Sequence, residues 1–437
     1  MNIILLSGGS GKRLWPLSND VRSKQFIKIF RRPDGEYESM VQRVYRQLKA
    51  VDPYCTVTIA TARSQIPAIL NHLGKNVQIS LEPCRRDTFP AIVLATAFLH
   101  DVMGISEEEP VVVCPVDPYV ESGYFETLKI LEAQARKEEA NLVLMGIEPT
   151  YPSERYGYII PSDREKISSV KMFQEKPDKE TAKEYLAQGA LWNGGVFAYK
   201  LKYVLNRARE MLNYTNYQDL YNRYDQLPKI SFDYAVVEKE PFIQVIRYHG
   251  EWRDVGTWNT MVDSMYNKSI GPVIMDGECE NVYVINELEV PVLAMGLKNM
   301  IVCASPQGIL VTEKHASANI KPFVDKIDET ARFAEKAWGN FKVLDVGEGS
   351  KTLRLKMTPG GTFRYHRHQY RDESWTVVYG TGEAIVDGRI IPLHPGTVVE
   401  LPRGCMHNLV AKTNMIIIEV MCGEKILEED YIKYAKE

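Results

Sequence analysis

No run of about 18 consecutive apolar residues occurs in this chain of 437 residues, which excludes a membrane-spanning helix. Cysteine is sparse: seven residues, at 55, 84, 114, 279, 303, 405 and 422, with no C-x-x-C pair. An odd, scattered set excludes a disulfide framework and reads as reduced thiols. Charge of one sign is lacking too. Lys plus Arg total 53 against 57 Asp plus Glu, a net of −4, so there is no general attraction to nucleic acid or anionic membrane. The first apolar stretch, Ile3 to Leu6, is short, has no basic region before it and meets glycines soon after. A signal peptide needs more, and a cytoplasmic protein is expected. Low-complexity segments and repeats of fixed period are missing. What is present is 45% hydrophobic and 25% charged residues, a globular profile with length for two or three domains of about 150 residues each.

Over the first 150 residues apolar strand-like runs alternate with helical periods. Asn2 to Leu6, Thr56 to Ala60, Val77 to Leu81, Val111 to Val116 and Leu142 to Ile147 read as strands. Between them Ser39 opens a helix with capping-box spacing to Gln42, followed by apolar positions 40, 41, 44, 45 and 48. Ser64 to Leu73, Phe89 to Val102 and Phe125 to Lys137 read as further helices. This alternation predicts an α/β domain: a Rossmann-like mixed, mostly parallel sheet with helices on both faces. From 150 to 265 the pattern is mixed, with helices at Asp178 to Gln188 and Tyr199 to Leu212. Around them lie aromatic, Gly-rich turns at Tyr156-Gly157-Tyr158 and Trp192-Asn193-Gly194-Gly195. Short β-like runs fill 270–320, a charged helix is expected near 328–338, and the rest is strand-rich with frequent Gly and Pro. The expected domains are 1–265, a β-rich connecting segment 266–330, and a β-barrel 331–437.

The first strand leads into Leu6-Ser7-Gly8-Gly9-Ser10-Gly11-Lys12-Arg13-Leu14-Trp15-Pro16. Its glycines let backbone N–H groups approach a phosphate, and Lys12, Arg13 and later Lys24 add positive charge. It does not fit the Rossmann fingerprint, because Arg13 and Leu14 stand where the last glycine belongs. A Walker A loop would need a glycine at Leu6 and Ser or Thr at Arg13.

The segment does match G-G-x-G-x-R-L-x-P, and Ser23-Lys24-Gln25-Phe26 is similar to a following P-K-Q motif. Together they resemble the sugar-1-phosphate nucleotidyltransferases. The form with Trp15 resembles the long bacterial mannose-1-phosphate guanylyltransferases, which carry a C-terminal mannose-6-phosphate isomerase-like cupin domain. Leu81-Glu82-Pro83-Cys84-Arg85-Arg86-Asp87-Thr88-Phe89-Pro90-Ala91 looks like the family's nucleobase loop, departing from it at Asp87 and Phe89. Val116-Asp117-Pro118 keeps the Asp of an A-D-H motif and loses its His. Glu175-Lys176-Pro177, Leu191 to Gly195, Phe232-Asp233-Tyr234-Ala235 and Trp252-Arg253-Asp254-Val255-Gly256-Thr257-Trp258 also match.

Joining a sugar phosphate to the α-phosphate of a nucleoside triphosphate brings two anions together, so charge cancellation and alignment dominate. Carboxylates holding a divalent cation serve this, and Mg²⁺ suits sparse oxygen ligands. Asp117, ending an apolar strand, and Asp254 are the candidates. Taken singly, the first could be a turn former and the second could pair with Arg253. The resemblance assigns both to one Mg²⁺. It further implies Arg13 and Lys24 on the triphosphate, with Leu6, Ser7, Gly8, Gly9, Gly11, Lys12, Glu82, Arg86 and Thr88 around the nucleotide. Lys176 would hold the sugar phosphate, and Gly157, Glu175 and Asn193 the sugar. Trp15, Trp192, Trp252 and Trp258 are read as packing residues.

Four of the eight histidines fall between 366 and 407. Gly360, His366, His368, Glu373 and Gly380, then Gly396, Pro402 and His407, reproduce the spacing of the two cupin motifs, with Ala411 in place of the final Asn. Positions 366 and 368 share a face of a strand. With Glu373 and His407 they make a site for a divalent transition metal. Against the isomerase-like pattern Q-x-H-H-H-R-x-E-H-W, His368 and Glu373 are retained, while Gln369, Tyr370 and Ser374 replace three histidines.

The expected function is nucleotidyl transfer from GTP to mannose 1-phosphate, with a second, isomerase activity in the cupin. The alternatives are CTP or dTTP with another sugar or polyol phosphate, or a non-catalytic sugar-nucleotide sensor. Expected partners are the two substrates, without nucleic acid or membrane. Homo-oligomerisation is an option the β-rich segment leaves open.

Overall fold

The computed structural model describes residues 1–437 except 10, 20, 21, 328, 329, 428, 429 and 434–437. Two compact units emerge. Met1–Ser10, Lys24–Ile66 and His72–Tyr266 form the first; Gly11–Ser23, Pro67–Asn71 and Asn267–Glu437 form the second. The expected segments are contiguous in sequence, whereas these units are not.

The first unit is built on a nine-stranded mixed sheet. Its order is Gln78–Glu82, Thr56–Ala62, Asn2–Leu6, Pro110–Pro115, Leu191–Lys200, Leu142–Ile147, Ile243–Tyr248, Ile167–Gln174, Tyr158–Pro161. The first four are mutually parallel, and Leu191–Lys200 runs antiparallel to both neighbours. All six residues of Leu142–Ile147 are buried, as are five of six in Pro110–Pro115. Such unbroken apolar runs occur where both faces of a sheet are covered. The helix Met40–Val51 is capped as its sequence implies: Ser39 Oγ accepts from the Gln42 N–H, and Gln42 reaches back to Ser39.

Three expectations need correction here. Tyr199 and Lys200 belong to the strand, with the helix covering Leu201–Leu212. Strand pairing to Val111 and Pro110, and a 2.9 Å bond from buried Tyr199 to Thr96, outweigh local helical period. Trp192 to Gly195 is not a turn but lies inside that same strand. The helix expected near 328–338, of which 328 and 329 lie outside the described residues, is also replaced: Phe333–Lys336 is a strand paired with Gly339–Gly347, and a short helix covers Lys321–Val324 instead. Hairpin pairing onto a buried sheet overrides the helix preference of a charged run.

In the second unit, Ser269–Ile270, Tyr283–Asn286 and Met300–Ser305 pair in parallel, and Val273–Met275 pairs in parallel with Val292–Ala294. No helix joins them among the described residues, so these are stacked rungs around Val282, Val284, Ala294 and Val302. The remainder is a barrel of two sheets. One contains Phe333–Lys336, Gly339–Gly347, Ser350–Met357, Met415–Gly423, Arg371–Tyr379 and Val398–Leu401. The other contains Arg389–Leu393, Gly382–Val386, His407–Ala411, His366–Arg367 and Ile432–Lys433. From Met415 to Met421 the strand Met415–Gly423 alternates buried and half-buried positions, the period of a strand with one inward face.

Candidate functional site

The two candidate aspartates meet on a two-stranded ribbon. Pro118–Val120 pairs antiparallel with Trp252–Asp254, placing Asp254 opposite Pro118, next to Asp117. Both line one cavity of about 240 Å³. Arg253 turns away to Glu251 at 2.7 Å and the Asp263 carbonyl at 2.9 Å, so it does not neutralise Asp254. A Cβ at Gly256 would stand 2.8 Å from Asp254 Oδ1, so glycine leaves the carboxylate its room. Lys24 Nζ lies 2.8 Å from Asp117 Oδ2. Burial acts to raise the Asp117 carboxyl, but the Lys24 charge outweighs it and holds the group below the usual carboxylate range.

Gly157, Glu175 and Asn193 line the same cavity, together with Arg155, Tyr156, Trp252 and Asp233. Asn193 is aimed there by a bulge. It pairs with Gly146 while Phe197 pairs with Leu144, so the intervening Gly194-Gly195-Val196 bends the strand. Its backbone N–H donates to the Gly157 carbonyl at 2.8 Å. The side-chain amide is held at both ends: Oδ1 accepts from the Gly195 N–H at 3.1 Å and Nδ2 donates to Asp233 Oδ1 at 2.6 Å. Glu175 is buried, and Lys176 Nζ sits 2.5 Å from its Oε1. Lys176 has φ +46°, a left-handed turn just past the strand Ile167–Gln174. Burial and then the charge of Glu175 push the Asp233 carboxyl up to about 7. Of the tryptophans, Trp192 and Trp258 are core, as expected. Trp252 is half-buried on the cavity wall, and its buried Nε1 has no partner among the described residues.

The residues expected around the nucleotide are distributed over both units. In the first, Leu6 ends its strand, and Ser7 is fixed by a backbone bond to Ala60 at 2.9 Å and by Gln25 Nε2 at 3.2 Å. Gly8 and Gly9 are exposed with open space where a Cβ would lie, and Gly9 has φ +107°. Glu82 is turned inward: its Oε2 accepts from Tyr224 at 2.8 Å, and burial pushes its carboxyl up. Asp87, at φ +69°, accepts from the Thr88 N–H at 2.8 Å and caps the helix Thr88–Ala97. Thr88 Oγ1 accepts from the Phe232 N–H at 2.8 Å. Arg86 is half-buried. In the second unit, Gly11 is buried and Lys12–Leu14 forms one 3₁₀ turn, with Arg13 exposed and Lys12 Nζ 3.7 Å from Asp325. The Trp15 ring packs on Gly308, and Ser305 Oγ donates to the Pro16 carbonyl at 2.9 Å.

In the barrel, strand register sets His366 opposite His407. His366, His368 and His407 each present a nitrogen within 4.8 Å of the others. Each uses Nδ1 on a backbone carbonyl: Arg364 at 2.6 Å for His366, Asp430 for His368, and Cys405 at 3.1 Å for His407. Such bonds fix the tautomer and turn Nε2 toward the cluster, where that of His368 meets Arg371 Nη2 at 3.2 Å. His407 Nε2 is buried and has no hydrogen-bond partner among the described residues. Glu373 lies 3.2 Å from His368 Nε2 and 3.6 Å from His407 Nε2, and its Oε1 also accepts from Arg371 Nε at 2.7 Å. A donor set of three imidazoles and a carboxylate fits a divalent transition metal. Burial, followed by His407, pushes His366 down to about 3. Arg371, a buried cation against two candidate ligands, was not among the expected site residues.

Residues 2–269 match the family Nucleotidyl transferase and residues 325–436 match Mannose-6-phosphate isomerase C-terminal. The chain is 28% identical to the xanthan biosynthesis protein XanB of Xanthomonas campestris, over 99% of this chain and 97% of that protein. It is also 28% identical to the mannose-1-phosphate guanylyltransferase of Escherichia coli K12, again over 99% and 97%. A crystal structure of mannose-1-phosphate geranyltransferase from Thermus thermophilus superposes with TM-score 0.60 and 28% identity, covering 74% of this chain and 98% of that one. The matched residues include both aspartates of the ribbon and the whole cavity they line, and the chain belongs to the nucleotidyl transferase family.

Proposed function

We propose that the chain transfers a guanylyl group from GTP to mannose 1-phosphate, giving GDP-mannose and pyrophosphate. The observation that carries this reading is the ribbon pairing, which puts Asp117 and Asp254 in one cavity with Glu175, Asn193 and Gly157. Two carboxylates at one end, and acceptors with an amide at the other, suit a phosphate joined to a polyhydroxylated ring. Hard oxygen donors fit Mg²⁺. Asp117 and Asp254 would hold it, and it would supply charge neutralisation at the reacting phosphates. The sugar phosphate is already an oxyanion and needs no general base. Its oxygen forms the new bond to the α-phosphorus as the bond to the β-phosphate oxygen breaks and pyrophosphate leaves. Lys24 lends positive charge beside Asp117. By motif, Arg13 and Lys12 serve the triphosphate, where a planar guanidinium grips two oxygens.

The test is a panel of four nucleoside triphosphates against several sugar 1-phosphates, read as pyrophosphate release. GTP with mannose 1-phosphate should give the highest kcat/KM. A higher value for CTP or dTTP would replace the substrate assignment, with Asp87 and Phe89 as the departures responsible.

A second reading concerns the barrel. The three clustered imidazoles, each with Nδ1 on a carbonyl and that of His407 with an unpartnered Nε2, favour a bound divalent transition metal held by His366, His368 and His407 with Glu373, in place of the Arg371 contact to His368 Nε2. Interconversion of mannose 6-phosphate and fructose 6-phosphate is the activity this domain would add. Assaying it in metal-loaded protein decides the matter, since metal without isomerisation keeps the site and discards the activity.

A further inference from the structure

The sugar end of the cavity contains a residue that the motif reading gave no role. Asp233 lies on the short helix Phe232–Ala235, whose first turn is capped by Ser231. Its Oδ1 accepts from Asn193 Nδ2 at 2.6 Å, while the Gly195 N–H donates to the Oδ1 of that amide at 3.1 Å. The amide therefore has a single orientation. Oxygen faces Gly195, nitrogen faces Asp233, and one N–H and one oxygen lone pair remain for a ligand. Asp233 itself lines the cavity, as does Glu175. Gly157 brings these groups close: a Cβ there would meet Glu175 Oε2 at 2.4 Å and the Asn193 Cβ at 3.3 Å. The segment before Asp233 is also tied down, by Thr88 Oγ1 on the Phe232 N–H at 2.8 Å and by the Phe89 N–H on the Ile230 carbonyl at 3.2 Å.

We infer that Asp233 is a positioning residue for sugar recognition: it fixes the Asn193 amide beside Glu175, so that the pair reads two adjacent hydroxyls of a hexose 1-phosphate. This rests on the assignment of the cavity to a sugar phosphate. A carboxylate and an oriented amide on one cavity wall offer an acceptor and a donor to neighbouring hydroxyls of one ring. If the amide could flip, donor and acceptor would exchange, and the diol would be read poorly. A site that hydrogen-bonds a hydroxyl rejects the analogue lacking it, because its own buried polar groups are then left unpaired. The burial of Glu175 makes that penalty large here.

The experiment uses the full chain with Mg²⁺ and GTP, and compares mannose 1-phosphate with its 2-deoxy, 3-deoxy and 4-deoxy analogues. Variants are Asp233→Ala, which removes the acceptor, and Asp233→Asn, whose carbonyl can still accept from Asn193. For Asp233→Ala, KM for mannose 1-phosphate should rise about tenfold or more, with KM for GTP unchanged. One deoxy analogue that wild-type protein discriminates against should lose that penalty in Asp233→Ala, and Asp233→Asn should restore it. Equal increases in both KM values, or discrimination unchanged by Asp233→Ala, overturn the role of Asp233. If wild-type protein turns over no sugar 1-phosphate at all, the assignment of the cavity falls, and this inference with it.

Discussion

A methyl group at position 157 would stand 2.4 Å from the Glu175 Oε2, well inside van der Waals contact. Gly157 does not have a left-handed φ, so its need for glycine is one of space alone. Gly157→Ala should therefore fold and push the Glu175 carboxylate off the cavity wall. The expected outcome is KM for the sugar phosphate raised by about tenfold, the equivalent of one hydrogen bond to a charged group, with KM for GTP unchanged. Steady-state kinetics with each substrate varied in turn checks it. An unaltered sugar-phosphate KM would remove Glu175 from sugar binding.

Asp254→Asn keeps the ribbon, because Asp254 meets Pro118 through backbone pairing and the amide fits the same space. What changes is a charge in the cavity shared with Asp117. Turnover should fall by several orders of magnitude while the thermal midpoint stays close to that of the parent. Near wild-type pyrophosphate release would take Asp254 out of the metal site.

The Asp233 carboxyl, pushed up to about 7 by burial and then by Glu175, changes charge within the working range of an enzyme. Below that value it is mostly neutral; above it a negative charge is added beside Glu175, and Lys176, itself shifted upward, keeps its proton throughout. Asp117 is shifted the other way and stays ionised, so it adds nothing to the change. The substrate is an anion. Its KM should rise from pH 6 to pH 8 more steeply in wild-type protein than in Asp233→Asn, which has no proton to lose. Comparing the two proteins cancels the titration of the sugar phosphate itself. Identical slopes would refute the assignment of the titrating group.

Local features were legible in the sequence and relational ones were not. Ser39 and Gln42 sit three residues apart, so their capping box could be read directly. Asp117 closes an apolar run, which places it at a strand end without further knowledge. The role of Asn193 depends on a bulge created by two strands, and that of Asp233 on an amide from another element. The motif match at Phe232 to Ala235 marks that segment, but nothing local says what Asp233 holds. Tyr199 and Lys200 continue a helical period, yet pairing to Val111 and Pro110 claims them for the sheet. In the barrel the spacing of His366, His368 and His407 pointed to one cluster, but Arg371 reaches Glu373 and His368 only through the fold. Likewise, nothing in the glycine-rich loop foretold that Gly11–Ser23 would pack with the second unit.

The barrel offers the last test. Three histidines buried together, with His366 pushed down to about 3 and His368 also lowered, gain little unless their Nε2 lone pairs meet a donor or a cation. The orphaned Nε2 of His407 is the clearest sign, since a buried unpaired nitrogen costs about 1–3 kcal/mol. A cation between the imidazoles would satisfy all three at once, and Glu373 would balance part of its charge. Metal analysis of purified protein should find about one transition-metal ion per chain. After His366 and His368 are both changed to Ala it should find none in the barrel. The guanylyltransferase assay should be unaffected, because neither histidine lines the cavity of the first unit. Chelation should lower the melting temperature of the wild-type barrel and leave that of the double variant where it was. Equal metal content before and after the change would defeat the ligand assignment. A melting temperature insensitive to chelation in metal-loaded protein would mean that the imidazoles hold nothing that stabilises the fold.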